Sequence, residues 1–387
     1  MIARTAAATL KRLAGQYPVV ALTGPRQSGK TTLARAVFGH RPYVSLEDPD
    51  QREFALADPR AFLRQFPDGA VLDEAQRCPE LFSYLQTLVD LDGRMGRFIL
   101  TGSQQFGLLA GITQSLAGRV ATVSLLPFSY GELARADRQP RDLDALLYTG
   151  LYPPIHDRAL EPSIWYGNYV QSYVERDVRQ MVNVRDLTAF QRFVRLCAGR
   201  MGQLLNLSGL GADAGITHNT AKAWLSVLEA SYIVHLLPSH HRNFRKRVVR
   251  APKLYFFDTG LAAWLLEIRT ASQLRSHPLR GALFESWVVA ELMKKRFNRG
   301  QRSNIFYWRD RSGLEVDVLI DEGDTMIPVE IKAGTTLNSD FFQGLRRWTE
   351  LAGEVAAPGR LVYGGEQRQS RGAHAAIPWQ ELSHTDI

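Results

Sequence analysis

Cysteine is scarce. Only Cys78 and Cys197 occur in 387 residues, so no disulfide framework is implied and a reducing compartment suits the chain. No apolar run reaches the roughly 20 residues that a membrane-spanning helix needs. The opening MIARTAAATLKRLAG lacks the compact apolar core of a secretory signal and reads as a short helix before the first strand. A cytoplasmic protein without a membrane partner is expected. Low-complexity tracts are missing too, and 45% hydrophobic with 22% charged residues is globular rather than disordered composition. Acid is the charge in deficit: 39 Asp and Glu face 47 Lys and Arg, for a net charge of +8. That excess points to an anionic partner, although an arginine-rich chain can be basic without one. The length calls for two or three domains.

What is present begins with YPVVALTGPRQSGKTTLARAVF. It holds the pattern G-x-x-x-x-G-K-T over Gly24, Pro25, Arg26, Gln27, Ser28, Gly29, Lys30 and Thr31, followed by Thr32. A β-branched run (Val19, Val20) precedes it and a helical pattern (Leu33, Ala34, Val37) follows, the context that gives the motif its meaning. Loop N–H groups and the helix start surround phosphates. Lys30 is expected on the β- and γ-phosphates of ATP and the Thr31 hydroxyl on Mg²⁺. In AVLDE, residues 70 to 74, Asp73 is expected as the second Mg²⁺ contact and Glu74 as the group that polarises the attacking water. RFILTGSQQF places Thr101 and Ser103 at a strand's carboxyl end, where open α/β sheets bind ligands. Arg119 reads equally as a γ-phosphate contact or as a surface arginine paired with a carboxylate.

Strand-like runs at 18–23, 42–46, 70–73, 97–101 and 120–125 alternate with helical stretches, which predicts a parallel sheet wrapped by helices. Together these residues resemble the AAA+-type ATPases of the additional-strand class. No guanine-reading N-K-x-D follows. The resemblance implies an arginine finger at Arg119 acting on a neighbour's nucleotide, hence a homo-oligomer; a clear second sensor arginine is not evident.

Pro127 closes this sheet, and TGLYPP marks a turn at 149–154. Helical patterns then run from about 162 to 203, where Tyr166, Tyr169, Val170, Tyr173 and Val174 recur at spacings of three and four and read as core. Further on, Leu207 and Leu210, then Ala214-Gly215, then Thr217 as N-cap outline a helix–turn–helix. Ala221, Trp224, Leu225 and Leu228 form the second helix's buried stripe, and Asn219, Lys222 and Ser226 its outer face. IVHLL and LYFF flank PSHHRNFRKRVVRAPK, a hairpin wing in which Arg242, Arg245, Lys246, Arg247, Arg250 and Lys253 meet no acid. Such a run reads as a solvated loop, a protein-binding wing, or a DNA-backbone contact that gains from counterion release. DNA is the favoured partner, through Asn219, Lys222, Arg242, Arg245, Lys246 and Arg247.

GLGADAGITHNTAKAWLSVLEASYIVHLL, PKLYFFDTGLAAWLL and RGALFESWVVAEL resemble the prokaryotic ATPases that join an AAA-type domain to a DUF4143 region, over nearly the whole chain. Asp258 belongs to that signature, yet it stands where a helix needs an N-cap and is read as structural.

Residues 314–320 and 325–331 form a strand pair around the turn DEGD. Glu330 and Lys332 share one strand face and Asp317 reaches it across the hairpin. Two carboxylates suit Mg²⁺, and a lysine beside a metal-bound water serves phosphodiester attack. A solvated edge hairpin would show the same alternation. With the preceding helix bearing Glu285 and another helix after, the order resembles the PD-(D/E)xK nuclease superfamily. That resemblance implies Glu285, Asp317 and Glu330 as metal ligands and Lys332 as the catalytic lysine; the superfamily's proline before the aspartate is missing.

The expected fold is therefore α/β: an AAA+-like P-loop domain (1–128), a helical segment (129–203), a winged helix (204–271) and an α/β nuclease-like domain (272–387). The function these imply is an ATP-binding and ATP-hydrolysing protein that engages DNA, with metal-dependent cleavage implied by the C-terminal array. The alternatives are an ATP-switched DNA- or protein-binding regulator with an inert nuclease-like domain, and an oligomeric remodelling motor.

Overall fold

The computed structural model describes residues 2–103, 115–174, 186–240, 251–310 and 312–385. The chain divides into two units. One comprises Met1–Phe128 with Ala230–Tyr232 and Lys294–Arg302, the other Ser129–Glu229, Ile233–Met293 and Ser303–Ile387.

The first unit is built on five parallel strands: β1 (Val19–Thr23), β2 (Tyr43–Ser45), β3 (Ala70–Asp73), β4 (Phe98–Gly102) and β5 (Val120–Ser124). Their spatial order is β2-β3-β4-β1-β5, with all four pairings parallel. β4 thus lies between the P-loop strand and the acidic strand, the additional-strand order that the sequence resemblance implies. β1, β3 and β4 are buried along their whole length, which is why they read as continuous apolar runs rather than alternating ones. Phe62, Leu63, Phe82 and Leu85 pack on one side, and Leu10, Leu33, Ala34 and Phe38 on the other.

The second unit opens with short helices, among them Leu143–Thr149, Pro153–Arg158 and Pro162–Tyr169. Of the expected stripe, Tyr166, Tyr169 and Val170 are core, joined by Tyr152 and Trp165, and Trp165 stacks on Tyr169 at 5.0 Å between ring centroids; the side chain of Val174 lies outside the described residues. Tyr173 is half-buried. Asp258 is the N-cap expected of it, accepting from Leu261 N at 3.0 Å, and it does more. It also accepts from the Tyr166 hydroxyl at 2.6 Å and from Leu151 N at 2.7 Å. Gly150, at φ +64°, has no room for a side chain there, because a Cβ would lie 2.2 Å from the Tyr166 hydroxyl. One buried carboxylate therefore ties TGLYPP, the aromatic helix and FFDTGL together.

Helix Leu207–Ala214 is capped by Asn206, which accepts from Gly209 N at 2.9 Å. It ends on Gly215 at φ +75°, a left-handed C-cap that glycine adopts without a Cβ clash. Thr217 then accepts from Thr220 N at 3.2 Å and starts helix His218–Ala230. Trp224 from that helix packs edge-on against Phe190 and Phe193. β6 (Val234–Leu237) and β7 (Lys253–Phe256) pair antiparallel.

After helix Arg280–Asn298 comes a six-stranded mixed sheet: β8 (Ile305–Arg309), β9 (Glu315–Asp321), β10 (Met326–Lys332), β11 (Arg360–Tyr363), β12 (Gln369–Arg371) and β13 (His374–Pro378). The order is β12-β13-β11-β10-β9-β8. β8, β9 and β10 form an antiparallel meander. Helix Gln343–Ala352 then carries the chain to β11, which pairs parallel with β10. Trp308, Val316, Leu319, Met326 and Trp348 fill the layer between helix and sheet.

Asp258→Ala leaves the N–H groups of Leu151 and Leu261 without their buried acceptor and the Tyr166 hydroxyl with Thr149 O alone. Chemical denaturation of the whole chain should show a loss of about 3 kcal/mol, and Asp258→Asn a smaller one, because an unmet buried donor costs about 1–3 kcal/mol.

Candidate functional site

The phosphate loop joins β1 to helix Lys30–Val37 through three left-handed residues: Gly24 (φ +146°), Gln27 (φ +60°) and Gly29 (φ +91°). A Cβ on Gly24 would sit 2.1 Å from Leu125 O, so only glycine fits that close approach. The Lys30 ammonium is buried and donates to Gly24 O at 3.0 Å and Pro25 O at 2.8 Å. Ser28 Oγ, among the described residues, is buried without a hydrogen-bond partner, a donor that a phosphate oxygen would satisfy. Arg26 lies 3.7 Å from Glu47.

Asp73, at the end of β3, gathers three hydroxyls. Thr31 Oγ1 donates to its Oδ2 at 2.9 Å, the Tyr43 phenol to the same oxygen at 2.7 Å, and Thr101 Oγ1 to Oδ1. Burial and the Asp73 carboxylate push the Tyr43 phenol well up. Thr31 and Asp73, the two expected Mg²⁺ contacts, are thus adjacent. Glu74 is held in the left-handed region at φ +53°, and its Oε2 accepts from Ser103 Oγ at 3.0 Å and from the Gln76 amide. A non-glycine residue held there stores strain of the kind concentrated at functional sites.

Arg119 is gripped by Asp90, Nε to Oδ1 at 2.5 Å and a terminal nitrogen to Oδ2 at 2.8 Å. Of the two meanings its sequence context allows, the described geometry shows the carboxylate pair. Asn219 and Lys222 are both exposed on helix His218–Ala230. Arg242, Arg245, Lys246 and Arg247 lie outside the described residues.

Two supporting contacts in the first unit are invisible to motif reading. Arg4 donates to Ser28 O at 2.7 Å and Leu126 O at 2.6 Å, bracing the phosphate loop from the N-terminus. The hydroxyl of Tyr232 meets Thr23 Oγ1 at 2.8 Å and Ser124 Oγ at 3.1 Å, at the ends of β1 and β5.

In the second unit the array over β9 and β10 is assembled as the strand register requires. Lys332 Nζ lies 2.9 Å from Glu330 Oε2 and 3.4 Å from Asp317 Oδ2, and Asp317 Oδ2 also accepts from Ile331 N at 2.9 Å. Gly344 covers Glu330, since a Cβ there would fall 2.5 Å from its carboxylate. Burial first, and the neighbouring Asp317 charge second, push the Glu330 carboxyl up to about 8. The carboxylates of Asp317 and Glu330 outweigh the burial of Lys332 and hold its ammonium charged.

Glu285, the third expected metal ligand, is engaged by other partners. Its Oε1 accepts from the Tyr255 hydroxyl at 2.5 Å and from Lys253 Nζ at 3.2 Å. Burial and then the Asp317 charge raise it to about 7. Among the described residues no group of three or more His, Cys, Asp or Glu side chains is placed to hold a metal ion. Lys253 is itself a correction to the sequence reading, which counted it in the basic run. It is buried, with 4% of its side chain exposed, and lies 2.5 Å from Glu315 Oε1, so it is not available to a phosphate backbone.

Fold and nucleotide loop together define an AAA-family P-loop ATPase domain joined to a helical region and a mixed-sheet domain. Comparison with known proteins agrees: residues 16–134 match the AAA domain, 140–272 the domain of unknown function DUF8612, and 280–382 the domain of unknown function DUF4143. The uncharacterized protein Rv2008c of Mycobacterium tuberculosis is 33% identical over 369 residues, covering 94% of this chain and 80% of that protein. Its Mycobacterium bovis counterpart matches to the same extent. The Walker-type ATPase of Pyrococcus abyssi superposes with a TM-score of 0.50 at 17% identity, over 68% of this chain and 96% of that one, a likeness of fold. The chain belongs to the family of these mycobacterial proteins, an AAA domain fused to a DUF4143 domain. Among the described residues no helix is long and apolar enough to cross a membrane.

The raised carboxyl of Glu330 has a signed consequence. Folded, it keeps its proton up to about pH 8, whereas the unfolded chain releases it near the ordinary carboxylate value of about 4.5. Its contribution to stability is therefore complete below that value and is lost as pH rises towards 8. Thermal unfolding should show Tm falling between pH 5 and pH 8, and the fall should be shallower in Glu330→Gln.

Proposed function

We propose that this protein binds and hydrolyses ATP and engages DNA through its helix–turn–helix and hairpin, with a metal-dependent, nuclease-like site in its C-terminal domain. The observation that carries the ATPase half is the convergence of Thr31, Asp73, Glu74 and Ser103 at the carboxyl ends of β1, β3 and β4. Lys30 would leave its two loop carbonyls for the β- and γ-phosphates. Thr31 and Asp73 would hold Mg²⁺, which when bound neutralises charge developing on the transferred phosphoryl group. Glu74 would orient the attacking water, kept in place by Ser103.

The nuclease-like half is supported by topology and by the array. A helix, an antiparallel meander, a second helix and a parallel fourth strand occur in that order. Asp317 and Glu330 already converge on one cation, the Lys332 ammonium, and two carboxylates suffice for an ion that keeps its waters. Those two residues would hold the ion, which supplies an activated water when bound; Lys332 would orient that water towards a phosphodiester. The exposed Asn219 and Lys222, on the second helix of the helix–turn–helix, support a DNA backbone contact.

Direct binding and phosphate-release assays test the first half. Lys30→Ala should lose triphosphate binding, whereas Glu74→Gln should bind normally and turn over about 10²-fold more slowly, the typical scale for a lost general base. Wild-type turnover by Glu74→Gln would remove it from the mechanism. For the second half, Lys332→Ala should abolish cleavage of labelled DNA while Mn²⁺ binding persists. Asn219→Ala with Lys222→Ala should flatten the salt dependence of duplex binding by about 0.9 per lost phosphate contact. An unchanged slope would assign that helix to another partner.

A further inference from the structure

The array over β9 extends beyond Asp317, Glu330 and Lys332, and its remaining members are Glu315 on β9 itself and residues from two other elements. Glu315 precedes Asp317 by two residues on the same strand face, Glu285 comes from helix Arg280–Asn298, and Lys253 from β7. Lys253 is fixed from both sides of its strand: its backbone pairs with Leu237 of β6 and bridges to Leu204, while Leu205 N donates to Pro252 O at 2.8 Å. Its ammonium is thereby delivered to a set point, 3.2 Å from Glu285 Oε1 and 2.5 Å from Glu315 Oε1. The Tyr307 ring stands 5.7 Å away.

Each acid on this side is already spoken for. Glu285 Oε1 is held by Lys253 and the Tyr255 hydroxyl, and Gly202 stands beside its second oxygen, where a Cβ would lie 3.1 Å away. Glu315 gives one oxygen to Lys253 and the other to Arg309 at 3.1 Å. A divalent ion bonded to Glu285 Oε1 or Glu315 Oε1 would have to displace the ammonium that both oxygens already hold. Four acidic side chains (Glu285, Glu315, Asp317 and Glu330) face Lys253, Lys332 and Arg309, and a buried ammonium needs such partners as much as they need it.

We propose that Lys253 is the resident cation of the C-terminal carboxylate site. It positions Glu285 and Glu315 and denies a divalent ion that side, so that metal binds through Asp317 and Glu330 alone. This inference rests on the nuclease-like reading of the domain for its metal, but not for the ammonium's place.

The test uses the full chain without nucleotide, titrated with Mn²⁺ and followed by calorimetry and electron paramagnetic resonance. Glu285→Gln should leave Mn²⁺ affinity within about twofold of the parent chain, whereas a lost ligand or its orienting partner costs about 10–100-fold. Asp317→Asn should abolish the ion of the C-terminal domain, all variants being made in an Asp73→Asn background that removes the ATPase site's own metal contact. Lys253→Met should tighten Mn²⁺ binding by about tenfold or more or add a second ion, and the gain should vanish in Lys253→Met with Glu285→Gln. A tenfold loss in Glu285→Gln would make Glu285 a metal ligand and overturn the proposal, and it needs no Lys253 variant. A folded Lys253→Met with unchanged Mn²⁺ binding would also overturn it. If the parent binds no Mn²⁺, the nuclease reading fails separately; a Glu285-dependent site appearing in Lys253→Met would still support the resident ammonium, and no site in either chain would sink it.

Discussion

Four acidic side chains are drawn into one partly buried layer of the second unit, and three cations from separate strands meet them there. Lys332 comes from the same strand as Glu330, Arg309 from the neighbouring β8, and Lys253 from β7, outside the span that matches DUF4143. Breaking a buried ion pair by removing one partner costs far more than the pair contributes. The mixed sheet and the β6-β7 hairpin of this unit are therefore bound by an electrostatic requirement as well as by apolar packing. Asp258 makes the same kind of demand nearby, where three donors from separate segments meet one acceptor.

The ATPase unit depends on an equivalent convergence, arranged by topology instead of charge. Inserting β4 between β1 and β3 brings Thr101 beside Asp73 and Ser103 beside Glu74. Arg4 braces the loop that holds Lys30, and the Tyr232 hydroxyl closes the ends of β1 and β5. These contacts pre-organise donors around a point where phosphate charge is to be bound, with little left to reorganise when it arrives.

Much of this was legible in the sequence because its signals are local. The phosphate loop is announced by glycines whose positive φ no other residue adopts cheaply, and the strands by apolar runs of the right length. The β9-β10 hairpin appears within one residue of its expected bounds, since alternation and a turn fix register together. Contacts between distant segments were not legible: Asp90 with Arg119, Tyr232 with Thr23, Lys253 with Glu285. Lys253 is the instructive case. Counted with the arginines before it, it looks like part of a solvated run. Its place two residues before Tyr255 in an otherwise apolar strand was the available signal, because residues two apart share a face and both side chains bond Glu285. Period-two reading through the lysine would have found it. The identity of its partner, on a helix thirty residues later, is a tertiary fact.

The claim that an internal ammonium and a divalent ion divide this site between them is tested most directly by anomalous diffraction from crystals of the full chain soaked in Mn²⁺. The account predicts one manganese peak in the second unit, bonded to Asp317 and Glu330, with Lys253 Nζ still against Glu285 and Glu315. A peak bonded to Glu285 with Lys253 displaced would contradict it, as would crystals with no manganese at Asp317.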